Sequence, residues 1–99
     1  MKRIIKANYN NYDTLNFVLD DNDRERYIHT LIGEIQDILY HSKGIKTEIY
    51  DIDYNLIIDI LGNYGKDIVD TVTIPYSDII YDWDDVYFAA TKIVETVME

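Results

Sequence analysis

The hydrophobic residues of this chain change their period once, and that change restricts the fold more than any other feature. Tyr27, Ile28, Leu31, Ile32, Ile35, Ile38 and Leu39 recur at three- and four-residue steps. That spacing gathers apolar side chains on one side of an α-helix. From Tyr50 the period becomes two. Tyr50, Ile52, Tyr54, Leu56, Ile58 and Ile60 fall on one face, and Asp51, Asp53, Asn55, Ile57 and Asp59 on the other, as side chains do along a strand. A chain with both patterns must bury a helix stripe against a sheet face, so its class is α+β.

Punctuation residues set the expected boundaries. Asn22 followed by Glu25 has the spacing of a capping box, and Gly44 is placed to end a helix in the left-handed conformation. The first helix is therefore expected over about residues 22–42. Residues 2–8 and 14–20 read as two strands of a hairpin, turned at Asn8, Asn10, Asn11 and Asp13, with a helical reading of 14–20 as the alternative because that segment runs into a helix. Residues 48–61 read as one long strand because the parity never slips, with a break near Asp53-Tyr54-Asn55 as the alternative. Gly62–Lys66 supplies a hairpin loop, and residues 67–76 return as a strand with Pro75 at its end. Residues 77–81 fit a strand end, a loop or a helix start capped by Ser77. By Asp82 a second helix is expected, with Val86, Ala90, Ile93 and Val97 as its buried stripe. The order is β-β-α-β-β-α: a mostly antiparallel sheet with two helices on one face.

Ninety-nine residues make a single domain, 1–99. With no Cys there is no disulfide and no thiolate metal site. That fits a reducing, cytoplasmic compartment. No apolar run approaches the roughly 20 residues of a membrane span, and Lys6 and Asn8 interrupt the start before a signal-peptide core could form. The net charge of −10 argues against direct binding to nucleic acid or to an anionic membrane.

No catalytic signature emerges, and the expectation is a non-enzymatic protein without cofactor or metal. His29 and His41 lie twelve residues apart on the first helix, about 18 Å at roughly 1.5 Å per residue, too far to share a proton or a metal ion. Neither Ser42 nor Ser77 has a histidine beside it in sequence. Asp51-x-Asp53-x-Asn55 copies the opening of a calcium loop, but Leu56 stands where Gly is needed and Gly62 where Glu is needed. Asp82, Asp84 and Asp85 suit the start of a helix, where its dipole favours acids. Trp83 is expected to pack under that helix.

The charge map says more than any motif. Residues 47–91 hold ten acids and one base, Lys66, so this segment carries −9 of the −10. Aspartate outnumbers glutamate 14 to 5, and a short side chain holds its charge near a rigid backbone with less entropy to lose. Alternate residues of a strand stand about 6.6 Å apart on one face, a spacing that approximates a row of phosphates. Asp51, Asp53 and Asp59 would form such a row, and Asp82, Asp84 and Asp85 a second group. Tyr64 and Tyr81 are candidate anchors, since tyrosine concentrates at interface hot spots.

The functional expectation is a protein that occupies a basic, nucleic-acid-binding surface of a partner protein. In size and charge, though in no motif, the chain is similar to small acidic DNA-mimic inhibitors of the anti-restriction and anti-CRISPR kinds. A nuclease immunity protein uses the same physics. The alternative is a small assembly protein that forms a homodimer or docks in a larger complex, its acidity serving solubility.

Overall fold

A computed structural model describes residues 2–4 and 13–98. Its elements are β1 (Lys2–Ile4), α1 (Asp21–Lys43), β2 (Lys46–Ile52), β3 (Asn55–Gly62), β4 (Asp67–Pro75) and α2 (Val86–Val97). Short 3-10 turns occupy Leu15–Phe17, Tyr76–Asp78 and Trp83–Asp85. The class is α+β, as expected: β2, β3 and β4 form an antiparallel three-stranded meander, and β1 runs parallel along the outer side of β4.

The expected element order is wrong in two places. The first is the N-terminal hairpin. Residues 14–20 are not a strand; Thr14 makes one bridge to Ile80, and a 3-10 turn follows. The Leu15 N–H donates to the Ile79 carbonyl at 2.9 Å, and the Tyr81 N–H to the Asp13 carbonyl at 2.8 Å. This segment thus satisfies its backbone against residues 79–81, not against the N-terminus. Leu15 is buried while Phe17 and Leu19 are exposed, so the alternation seen in sequence marks no sheet face. Asp20 then accepts from the N–H groups of Asn22 and Asp23 and starts α1 two residues before the expected cap. Of the expected strand 2–8 only Lys2–Ile4 is seen; residues 5–12, with the asparagine turn, lie outside the described residues.

The second error concerns the long strand. The chain breaks at Asp53-Tyr54, whose φ values of 52° and 60° make a two-residue hairpin turn of the left-handed kind. Ile52 pairs with Asn55, so partners in this hairpin have opposite parity. The numerical alternation continues across the turn while the face it marks reverses. Tyr50 and Ile52 stand on the open face of the sheet, and Leu56 and Ile58 on the buried one.

Behind the buried face lies one hydrophobic core. Tyr27, Leu31, Ile35 and Leu39 of α1 meet Leu56, Ile58, Val72 and Ile74 of the sheet and Ala90, Ile93 and Val97 of α2. Gly44 (φ 66°) ends α1 as expected. α2 begins at Val86 rather than Asp82, capped by Asp85, whose carboxylate accepts from the Phe88 N–H at 2.9 Å. No helix among the described residues is long and apolar enough to cross a membrane.

Candidate functional site

Tyr27 organises one end of the molecule. It is fully buried on the inner side of α1, and its hydroxyl donates to the Ile80 carbonyl at 2.6 Å while accepting from the Asp82 N–H at 3.1 Å. The segment leading into α2 is thereby tied to α1. Burial pushes the Tyr27 phenol up to about 12. Its ring packs on Tyr81 (centroids 4.7 Å apart) and meets Trp83 edge-on at 5.2 Å.

Trp83 is not core: it is 43% exposed. Ile79 and Ile80 already fill the interior below it. The next residues form a 3-10 turn that sets the indole on the rim of a groove of about 570 Å³, between it and Asn22, Glu25, Arg26, His29 and Thr30. Tyr81, an expected anchor, is half-buried and belongs to the platform beneath the indole. Asp82 accepts from the Asp84 N–H at 3.0 Å, and Asp85 caps α2. Both thus act as helix-start acids. Asp84 and Asp85 are exposed.

A second groove, of about 380 Å³, lies on the other side of the first turns of α1 and is lined by Asp21, Arg24, Glu25, Asp51, Asp53, Tyr54 and Tyr76. Asp51 accepts from the Tyr76 hydroxyl. Burial first, then this bond, raises the Tyr76 phenol well above its ordinary value. Tyr54 stands edge-on to Tyr76 at 5.7 Å, and the Arg24 guanidinium lies 5.3 Å from the Tyr54 ring centre. Glu25 borders both grooves. Asp51 and Asp53 therefore border the helix start, and Asp82 is tied to the next turn of the same helix through its N–H bond to Tyr27.

That helix start adds acids the sequence reading set aside. Asp20, Asp21, Asp23 and Glu25 fall outside the acidic segment 47–91, and Arg24 and Arg26 offset them in a linear count. In three dimensions Arg24 pairs with Asp21 and Arg26 with Asp23, each one helical turn back. Arg26 is thus held by its own helix, and Arg24 is further fixed by donating to the Val18 carbonyl at 2.8 Å. The spacing i, i+3 was the available signal. Trp83 gave no comparable signal, because exposure depends on what fills the core first.

Two expected site residues stand elsewhere. Asp59 is 4% exposed and lies on the open face of β3, where it accepts from the Tyr50 hydroxyl at 2.8 Å and the Thr71 hydroxyl at 2.9 Å. The bond to Asp59 raises the Tyr50 phenol. Because parity reverses at the hairpin, Asp59 and Asp51 are on opposite faces, and the expected row of three does not exist. Tyr64, 94% exposed, caps the β3–β4 turn. The eight residues of β3 separate it from Asp53, about 25 Å at roughly 3.3 Å per residue. Among the described residues, no three His, Asp or Glu side chains are grouped so as to hold a metal ion.

No family model, no curated protein and no solved structure matches this chain.

Proposed function

We propose that this is a non-enzymatic acidic binding protein whose α1 start, β2–β3 turn and Trp83 rim together occupy a basic, nucleic-acid-binding surface of a partner protein. It would act as a DNA-mimic inhibitor or as a nuclease immunity protein. One observation carries the reading: Asp21, Glu25, Asp51 and Asp53 line one groove at the start of α1, and Glu25 also borders the groove of the half-exposed Trp83, which Asp84 and Asp85 follow in the chain. Charge of one sign speeds encounter with an oppositely charged surface and excludes wrong partners. An exposed tryptophan on a rigid aromatic floor supplies the desolvated contact that charge alone lacks.

The test is retention of purified basic nucleases across a salt series, with duplex DNA as competitor. Binding should weaken as salt rises, since exposed charges are screened within about 8 Å at physiological ionic strength. Duplex DNA should displace the protein. Joint replacement of Asp51, Asp53, Asp82, Asp84 and Asp85 by Asn should abolish retention. Asn caps helices about as well as Asp, so the fold is spared. Full retention by that variant would sink the proposal.

A second reading, a small assembly protein, draws on a different observation. Tyr50, Ile52 and Ile68 are exposed on the open sheet face. Light scattering that finds a stable homodimer, lost on Ile52→Lys, would favour it.

A further inference from the structure

Among the described residues β2 is one edge strand of the sheet, β1 being the other, and the pairing shows which of its backbone groups face outward. The two-residue turn closes on Ile52 and Asn55, which in such a hairpin exchange both backbone bonds. Counting back by two, Tyr50, Glu48 and Lys46 also bond β3. Thr47, Ile49 and Asp51 then direct their N–H and C=O groups away from the sheet. An independent contact agrees: the Gln36 side-chain amide donates to the Thr47 carbonyl at 3.3 Å, from the side opposite β3. This long bond is a weak cover for one of the outward carbonyls.

The Lys46–Glu48 start of this edge opens on a groove of about 580 Å³, and the edge continues past it through Ile49 and Asp51. Gln36, Asp37 and Tyr40 of α1 form one wall, the start of β2 forms the floor, and the β3–β4 turn closes one end. The Thr47 hydroxyl is shielded from solvent here and has no hydrogen-bond partner, the one such side-chain atom among the described residues. Polar groups along this strip are incompletely satisfied by the fold itself. A helix beside a free strand edge is the geometry in which a peptide adds as a further strand.

We infer that the β2 edge takes an extended segment of a partner protein, carrying lysine or arginine at alternate positions, as an added strand beside α1. The backbone groups of Thr47, Ile49 and Asp51 set the pairing. In the groove Asp37 and Glu48 stand against Lys46, and Asp51 lies further along the same strand at the acidic end; these acids set the charge of the occupant. A second copy of this chain is disfavoured because it too carries −10. The basic character of the segment rests on the proposed function; the added strand does not.

The probe is the peptide acetyl-Lys-Val-Lys-Val-Lys-Val-amide, titrated into the labelled full chain and followed by amide NMR and hydrogen exchange. Thr47, Ile49 and Asp51 amides should exchange freely without peptide and gain protection of about tenfold or more with it. Lys46, Glu48 and Tyr50 amides should be protected throughout. Ile49→Pro removes an outward N–H without costing a bond to β3, and should weaken binding by about tenfold or more. Ile49→Ala loses the same packing but keeps the N–H, and should bind within about threefold of wild type. Equal binding by the folded Pro and Ala variants overturns the proposal, as do peptide shifts confined to the Trp83 groove. Concentration-dependent protection of the edge without peptide, with dimers in sedimentation, assigns the edge to a second copy and also overturns it. If Ile49→Pro fails to fold, the wild-type exchange pattern still decides. The titration uses no nuclease, so its outcome and that of the retention assay fail separately.

Discussion

The two hairpin turns of the sheet, one of two residues and one of four, each hold a tyrosine in the left-handed region and differ in what surrounds it. At the acidic end Asp53 and Tyr54 take φ values of 52° and 60°; at the far end Asn63 and Tyr64 take 52° and 59°. A left-handed tyrosine costs of order 1 kcal/mol in either place. The Tyr54 ring is held between Arg24 and Tyr76, and these contacts offset the strain. The Tyr64 ring is almost wholly in solvent. A left-handed tyrosine is therefore braced at the end where the acids gather and unbraced at the other. Bracing matters to a charged surface, because carboxylates fixed in place lose less entropy when a partner arrives.

The most severe way to break this contrast is to remove the clamp beneath the acidic end. Tyr27→Phe orphans the Ile80 carbonyl and the Asp82 N–H. It should cost about 1–3 kcal/mol in urea unfolding at neutral pH. The same change at Tyr64 should cost nothing measurable. The clamp also has a pH signature. A phenol whose folded pKa is raised to about 12 from 10 contributes stability that is whole below about pH 10 and is lost as the pH climbs through 12. Melting curves across that window should fall for the wild-type protein and fall less for Tyr27→Phe; parallel curves would remove Tyr27 from the alkaline response.

Next in size is the effect on partner binding. Trp83→Ala should weaken retention of a basic nuclease by about tenfold or more, in the range of an interface hot spot. Tyr64→Ala, at the far end, should weaken it less. The reverse pattern would move the binding surface to the far end.

Much of this arrangement was legible in the sequence. The helix 27–39 stripe, the Gly44 stop, the Gly62–Lys66 loop and the strand ending at Pro75 all follow from local rules, and each stands within a residue or two of its expected place. What failed was non-local. The sequence of residues 48–61 reads the same as one strand or as two, because a two-residue turn preserves the alternation and inverts the face. Asp59 was therefore counted with Asp51, although one is buried on the open face and the other borders a groove at the helix start. Residues 13–15 pair with residues 79–81, more than sixty positions away, and no local pattern announces that. The acids of the helix start were visible as residues but not as part of the site, since that depended on the Tyr27 clamp bringing Trp83 beside Glu25.

A smaller effect sharpens the comparison of the turns themselves. Glycine carries no penalty in the left-handed region. Tyr64→Gly should raise stability by about 1 kcal/mol, since strain is relieved and little packing is lost. Tyr54→Gly relieves the same strain but gives up an edge-on ring contact and a cation–π contact, each about 0.5–1 kcal/mol. Its net change should be near zero or destabilising. Equal gains at both turns would mean that the contacts of Tyr54 brace nothing.

The smallest predicted effect isolates charge from packing. Asp84 lies exposed at the acidic end, and Asp67 lies at the far turn, where it accepts from the Asn63 side-chain amide at 3.1 Å. Asparagine at position 67 can accept the same bond, so each Asp→Asn change removes one charge and little else. A rim charge acts mainly on encounter rate, and one exposed charge contributes only a few tenths of a kcal/mol. Stopped-flow association with a basic nuclease should therefore show Asp84→Asn slowing the on-rate by about twofold at low salt, with the difference vanishing as salt rises. Asp67→Asn should lie closer to wild type, because the eight residues of β3 hold the far turn about 25 Å from the Asp53 turn, beyond a screening length of about 8 Å. Equal slowing by both variants would mean that the partner senses the net charge of −10 as a whole rather than the end where the acids converge.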